Sequence, residues 1–306
     1  MPAIIKARAA CTCSSTSPAA AQAVGYNLLT YGSHVTLGQN WFPWTGNVAT
    51  QNLTQNADGS VTDNGGAGNH YNAHVTSTNI NGSNFTQGVC FAGGGYFECT
   101  FKFTGLPAGF GTPQTADGWP SWWCSDPGIT TFQQHTEIDW MEWFCNAADP
   151  SVNLPPNSIG GTAAAFNSGI IDWYSSSLPL TNGCSCIGSG NYGYNDTCFV
   201  PSNNDPSQYH KVAGLWVPAT ATTQGYSKTY FDNNQVGPTH TWSLYDGGIG
   251  PTGVPGGTSS PFSALDSSHI QLLWGTGTNN PMTVSAINVW QKDDSQNIRR
   301  GVALGS

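Results

Sequence analysis

Three carboxylates within six residues constrain this chain more than any other feature of its sequence. Glu137, Asp139 and Glu142 lie in the segment Glu-Ile-Asp-Trp-Met-Glu, which holds two of the three glutamates in the 306 residues. Their neighbours are aromatic and aliphatic, and like charges in an apolar setting resist ionising together. In a chain with only 8% charged residues, solubility does not explain such a cluster.

The spacing of these acids favours a bulged strand over a helix. On a helix, positions i, i+2 and i+5 fall at about 0°, 200° and 140°, so they share no face. On a strand, Glu137 and Asp139 point one way with Ile138 and Trp140 pointing the other, and Glu142 has the wrong parity. One extra residue near 140–141, a β-bulge, restores the parity, and bulges are enriched beside active sites.

The separation of the two glutamates bears on their chemistry. Cα atoms four ladder positions apart lie roughly 13 Å from each other, whereas a retaining glycosidase needs its carboxyl groups about 5–5.5 Å apart. Long Glu side chains leaning inward on a concave sheet close most of that gap. The shorter Asp139 side chain could not close it, which suits its position between the two glutamates. The alternative interpretation is an edge strand with solvated acids.

Composition favours a single all-β domain. The 38 Gly and 19 Pro suit many turns between short strands, and strong helix formers are scarce. Large β-sandwiches commonly run to about 250 residues as one unit. We predict a domain over residues 25–295, between an N-terminal tail of residues 1–24 and a C-terminal tail of residues 296–306.

Charge and aromatic content indicate the kind of partner. A net charge of −9 with only eight Lys and Arg argues against nucleic acid, an anionic membrane or an acidic polymer. No run is long and apolar enough to span a membrane, and no secretory signal is visible. Twelve Trp, eleven Tyr and thirteen Phe are many for so polar a chain. We expect most of them to fill a core, and the remainder to favour stacking against the rings of a neutral sugar polymer.

Cysteine usage indicates an oxidising compartment, so we expect a secreted protein with disulfide bonds. The nine cysteines are an odd number, which leaves at least one unpaired or paired with another chain. Cysteine pairs with one intervening residue are poor zinc motifs. The Cys-rich stretch 174–200 is typical of a functional loop, and a bond from Cys184 or Cys186 to Cys198 would restrain it.

Several segments, taken in order, resemble the laminarinase-like branch of glycoside hydrolase family 16. They are Gly94–Glu98, Gly118–Trp123, Glu137–Glu142, Tyr209–Trp216, Tyr230–Val236 and Ile287–Trp290. The resemblance spans about residues 40–292. It implies an all-β jelly-roll sandwich, concanavalin A-like, with a substrate cleft on its concave face.

The resemblance also implies roles for the three acids. Glu137 would be the nucleophile, Glu142 the general acid/base, and Asp139 the group that orients and tunes the nucleophile. No cofactor is implied for catalysis, although many relatives hold a structural calcium ion away from the cleft, with ligands that the sequence does not identify here.

Five further side chains form the predicted substrate-binding set. The resemblance places Trp119 and Trp123 on the glycone side of the cleft, and Trp122 and Trp140 belong to the same set. Relatives often carry a histidine on the strand after the acidic one, and residues 160–167 contain none. His135 could replace it, since alternation puts His135 on the face of the nearby acids.

The function that the resemblance implies is a secreted, monomeric endo-β-glucanase. It would cut β-1,3- or mixed β-1,3/1,4-glucan with retention of configuration. Three alternatives stay open: a transglycosylase on cell-wall glucan, a hydrolase of another neutral polysaccharide such as a galactan, and a non-catalytic glucan-binding lectin. The lectins of this fold usually lose their acids, whereas all three are present here.

Overall fold

The computed structural model describes residues 16–34, 42–43, 53–65, 69–72, 74–76, 85–103, 120–125, 136–143, 164–172, 192–200, 207–242, 244, 266, 269–276 and 281–300. Within these ranges the chain is almost entirely strand. One short helix, α1 (Ala19–Gln22), precedes the first strand. The predominance of strands follows from a sequence rich in turn formers and poor in helix formers.

The strands that the structure describes are, in chain order, β1 (Leu28–His34), β2 (Phe42–Pro43), β3 (Leu53–Gln55), β4 (Val61–Asp63), β5 (Asn69–Asn72), β6 (His74–Thr76), β7 (Phe85–Cys90), β8 (Gly95–Phe103), β9 (Ser121–Ser125), β10 (Thr136–Glu142), β11 (Ala164–Asp172), β12 (Tyr192–Val200), β13 (His210–Val217), β14 (Gly225–Phe231), β15 (Asn234–Trp242), β16 (Gln271–Thr276), β17 (Met282–Gln291) and β18 (Ile298–Arg300).

Two large antiparallel sheets form a sandwich. The eight-stranded sheet has the order β15-β14-β13-β8-β17-β4-β3, with β1 also paired to β17. The seven-stranded sheet has the order β12-β11-β10-β9-β16-β5-β2, and a small third sheet joins β18, β7 and β6. Strands adjacent in space are often distant in sequence, because the chain crosses between the sheets. The prediction of an all-β jelly-roll sandwich is confirmed.

Strand β8 shows how a two-residue period builds this sandwich. Phe97, Cys99, Phe101 and Phe103 all belong to the large buried cluster between the two sheets. Tyr96, with the opposite parity, joins a separate cluster on the outer face of the eight-stranded sheet. Side chains along β8 therefore alternate between the core and the outer face of the sheet, as a two-residue period requires.

Tryptophan supplies much of the buried volume. The fully buried tryptophans among the described residues are Trp122, Trp140, Trp216, Trp242, Trp274 and Trp290. Trp140 stacks on Phe97 across the sandwich, with ring centroids 5.2 Å apart and planes 14° from parallel. Stacked pairs of this kind stabilise a core beyond the area they bury.

The folded unit extends into both predicted tails. Ala21 of α1 is fully buried, and the nearby Tyr26 hydroxyl donates to the Trp216 carbonyl at 3.0 Å. At the other end β18 pairs with β7, and Asn297 donates to Gln291 Oε1 at 2.7 Å. The predicted limits of residues 25–295 are too narrow, because short segments beyond both limits pack against the sheets.

Gly214 on β13 is required by the packing of Trp140. A Cβ atom there would overlap the indole ring of Trp140. We expect Gly214→Ala to lower the free energy of unfolding by about 1–3 kcal/mol, the usual cost of overpacking a core. Denaturant unfolding measures this loss. Adding Trp140→Phe should recover part of it, and strictly additive losses in the double variant would contradict the proposed contact.

Candidate active site

A β-bulge resets the side-chain alternation within β10. Against β9, Asp139 pairs with Trp123 and Met141 pairs with Trp122, so two steps on β10 match one step on β9. Against β11, Asp139 pairs with Gly169 and Glu142 with Asn167, again with one residue too many on β10. The predicted bulge near 140–141 is therefore present.

The bulge brings the three acids onto one face. Ile138, Trp140 and Met141 all lie in the core between the sheets, so Glu137 and Asp139 face the opposite way, and Glu142 joins them. We call the outward side of the seven-stranded sheet the acidic face. Glu137 and Asp139 are joined there by a side-chain hydrogen bond, and both are buried, whereas Glu142 is partly exposed.

Hydroxyl groups between the sheets hold the bulge in place. Ser168 Oγ on β11 donates to the Asp139 carbonyl at 2.9 Å and lies 2.6 Å from Thr229 Oγ1 on β14. Trp140 Nε1 donates to Ser227 Oγ at 3.4 Å, also on β14. The bulge thus has anchors in the neighbouring strand and in the opposite sheet, which limits how far the acids can shift.

The electrostatics of the acidic face separate the roles of its carboxyl groups. Burial raises the pKa of Glu142 to about 8, and the negative charge of Glu137 adds to this effect. Burial, followed by the charges of Glu142 and Glu137, raises the pKa of Asp139 well above its usual range. The raised pKa favours the protonated form of Glu142 at neutral pH, next to the Glu137 carboxyl group. A proton donor beside a second carboxyl group is the pairing that acid-assisted nucleophilic substitution uses.

The prediction that Trp122 and Trp140 bind substrate is wrong. Trp122 and Trp140 are fully buried in the core between the sheets, and Trp122 Nε1 donates to the Phe97 carbonyl at 3.1 Å. Their parity along β9 and β10 turns them away from the acidic face, so they cannot contact a ligand bound there. Trp119 and His135 lie outside the described residues.

Trp123 is the predicted aromatic that lies on the acidic face. It pairs with Asp139 across the strands and packs with Leu273 of β16, apart from the main core. Its side chain is only 4% exposed, so any contact with a ligand would be through a small part of the ring. Its role in substrate binding stays a prediction.

Sequence reasoning missed two polar residues of the acidic face. Ser121 and Asn167 are the cross-strand partners of Glu142 on β9 and β11. Alternation along β9 could have identified Ser121, because it has the parity of Trp123. No local signal identifies Asn167, since its place opposite Glu142 depends on a strand pairing that includes the bulge.

The described residues contain no group of three or more His, Cys, Asp or Glu side chains that could hold a metal ion, and the structural calcium stays a prediction. In the same part of the chain, no helix has the length and apolarity to cross a membrane.

Cys90, Cys99, Cys124 and Cys198 are all buried. The other five cysteines lie outside the described residues, so disulfide bonding also stays a prediction.

Comparisons with known proteins give only distant likenesses. No family model and no curated protein matches the chain. Among solved structures, an endo-1,3-β-glucanase from Streptomyces sioyaensis is 12% identical, covers 85% of this chain and 95% of its own, and has a TM-score of 0.49.

Two other solved structures show the range of these likenesses. A mixed-linkage glucan family 16 protein from Bacteroides ovatus, in complex with a product, is 10% identical, covers 85% and 99% of the two chains, and has a TM-score of 0.47. The exoplasmic domain of VIP36, bound to calcium and mannose, is 10% identical with a TM-score of 0.38 and covers 87% and 91%. At these values the function has to be argued from the site itself.

The raised pKa of Glu142 can be measured directly, because the chain has only three glutamates. Labelling Glu side-chain carboxyl carbons with ¹³C should give three signals, and the one lost in Glu142→Gln belongs to Glu142. We expect that signal to titrate near pH 8 and to move to lower pH in Glu137→Gln, which removes the neighbouring charge. A midpoint near 4.5 in the unaltered protein would contradict the burial of this carboxyl.

Proposed function

We propose that this chain is a retaining glycoside hydrolase that cuts β-1,3- or mixed β-1,3/1,4-glucan within the polymer. The observation that carries the proposal is the bulge in β10, which presents Glu137, Asp139 and Glu142 on one face. Two carboxyl groups, one of which can donate a proton, are the minimum that glycosidic bond cleavage needs. The order of motifs that resembles family 16 supports the choice of substrate class.

The proposed reaction proceeds in two displacements. Glu137 attacks the anomeric carbon while Glu142 donates its proton to the departing glycosidic oxygen, which breaks the bond and forms a glycosyl ester on Glu137. Glu142, now a carboxylate, takes a proton from water, and the resulting hydroxide oxygen displaces Glu137 from the sugar. Asp139 remains hydrogen-bonded to Glu137 and orients the attacking carboxylate.

The charge of the chain supports a neutral polymer as substrate. A net charge of −9 would repel an acidic polysaccharide, and the raised pKa values of Asp139 and Glu142 reduce the charge near a bound sugar. A lectin would gain nothing from gathering three acids whose mutual repulsion opposes folding. We further propose that the protein is secreted, which its cysteine content supports, and that it acts as a monomer.

Replacing either glutamate by glutamine should abolish most of the activity. We expect Glu137→Gln and Glu142→Gln each to lower kcat by at least about 10²-fold, because each removes a group that one step requires. Asp139→Asn should weaken activity less, since Asp139 acts through Glu137. Release of reducing sugar from a β-1,3-glucan, a mixed-linkage β-glucan and a galactan provides the measurement.

Each outcome of that measurement bears on the assignment. Near-full activity in either Gln variant would refute the roles given to Glu137 and Glu142. Cleavage of the galactan alone would refute the substrate class, and new, longer products at high substrate concentration would identify a transglycosylase. Thermal melts of all three variants check that they are folded.

The stereochemistry of the product tests the two-displacement reaction. If Glu137 forms a covalent intermediate, water attacks from the face that the aglycone left, and the first product is the β-anomer. Time-resolved NMR during the first minutes should therefore show β before mutarotation. An initial α product would mean that the two carboxyl groups leave room for a water molecule, which would refute both the nucleophile and the double displacement.

A further inference from the structure

Glu142 lies between two neutral polar residues that the reaction scheme does not use. Ser121 on β9 and Asn167 on β11 are its direct partners across the strands. The residues that alternate with them, Trp122 and Phe166, point into the core, so Ser121 and Asn167 point to the acidic face. Adjacent strands are about 4.8 Å apart, which puts one polar side chain on each side of the proton donor.

Both side chains are buried with polar atoms that the protein does not satisfy. Ser121 is 3% exposed and Asn167 is 2% exposed. Within the part of the chain that the structure describes, Ser121 Oγ and Asn167 Nδ2 have no hydrogen-bond partner. An unsatisfied buried polar group destabilises a folded protein, so two of them beside the proposed proton donor call for an explanation.

Other polar side chains near the bulge do have partners. Ser125, two positions along β9 from Trp123, accepts from Gln271 Nε2 at 3.0 Å. Ser168, which follows Asn167 but faces the core, bonds both to the Asp139 carbonyl and to Thr229. Ser121, Glu142 and Asn167 form one row across the three strands, and the unsatisfied atoms Ser121 Oγ and Asn167 Nδ2 flank the acid in it, with Asp139 Oδ2 unsatisfied on the same face. These unsatisfied atoms therefore lie on the acidic face, whereas the core-facing Ser168 is satisfied.

The chemistry of Ser121 and Asn167, which flank Glu142 in this row, indicates what the row binds. A hydroxyl group can donate or accept, and an amide side chain offers both a donor and an acceptor. Neither residue brings a charge. A Lys or Arg in either place would favour the ionised form of Glu142 and lower its pKa, which would remove the proton that the reaction uses. A ligand with several neutral hydroxyl groups satisfies this row without disturbing Glu142.

We propose that Ser121 and Asn167 are specificity-determining residues that bind sugar hydroxyl groups on the two sides of the bond that Glu142 protonates. This inference rests on the proposed glycoside hydrolase function. Sites that hydrogen-bond a substrate hydroxyl discriminate strongly against analogues that lack it, because their own polar groups are then left unpaired. The row would thereby select the sugar and hold the scissile oxygen beside Glu142.

The test uses Ser121→Ala and Asn167→Ala in the full chain. Each variant loses a hydrogen bond to substrate, and we expect kcat/KM on the preferred glucan to fall about tenfold. In the Glu142→Gln background, which does not turn over, each should weaken oligosaccharide binding by calorimetry to a similar extent. The melting temperature should stay the same or rise, because each change removes an unsatisfied polar group.

Asn297→Ala and Ser60→Ala are matched controls away from the acidic face. Asn297 donates to Gln291 Oε1 at 2.7 Å and accepts from the Ala92 N–H at 3.1 Å, and Ser60 Oγ donates to Asp58 at 2.6 Å and accepts from Asn56 Nδ2 at 3.0 Å. These variants lose internal hydrogen bonds, so they should melt at lower temperature with kcat/KM unchanged. The two pairs of variants therefore give opposite signatures, and a purely structural role for Ser121 and Asn167 would give the signature of the controls.

The outcomes separate this inference from the function on which it rests. If the unaltered protein cleaves a glucan and both variants match it in kcat/KM and in binding, the inference is wrong and the function stands. A parallel fall in melting temperature and activity would also overturn the inference, because it would show a structural role. If the unaltered protein neither cleaves nor binds any polysaccharide of the panel, the proposed function fails and the inference fails with it.

Discussion

The burial of Trp140 between the two sheets is the interaction on which the acidic face depends. Trp140 and Met141 both point into the core, although they are consecutive residues of a strand. That local exception to alternation is the bulge, and it is what turns Glu142 towards Glu137 and Asp139. Truncating a buried residue of this size typically costs about 3–5 kcal/mol. The core therefore supplies the free energy that holds three mutually repelling acids together.

The opposite sheet is shaped to receive this side chain. Gly214 leaves room for the indole ring, Phe97 stacks against it, and Ser227 accepts its N–H group. All three residues lie on strands of the eight-stranded sheet, which carries none of the three acids. The geometry of the acidic face in one sheet thus depends on packing in the other, as expected for a close-packed interior that transmits small changes in volume.

Much of this arrangement could be predicted from the sequence, because the rules involved are local. Parity along the strand required a bulge near 140–141, and the same parity already turned Trp140 away from the acids. The error was to treat Trp140 and Trp122 as sugar platforms because of their proximity to the acids in sequence, when alternation assigns them to the core. Asn167 could not be found, since the pairing of β10 with β11 is a tertiary property. Trp119 and His135 lie outside the described residues, and the sequence prediction for them stands untested.

The raised pKa values on the acidic face make the stability of the folded protein depend on pH. Burial and mutual repulsion raise the pKa values of Asp139 and Glu142 in the folded state, so the folded protein binds protons more tightly than the unfolded chain. The contribution of these groups to stability is complete below their unfolded pKa values of about 4 and is lost for Glu142 as the pH rises through about 8. The surroundings that keep Glu142 protonated therefore also make the folded protein less stable at neutral and alkaline pH than at acidic pH. Neutral neighbours such as Ser121 and Asn167 preserve this proton. A basic residue in their place would stabilise the fold but would favour the ionised form of Glu142, which has no proton to donate.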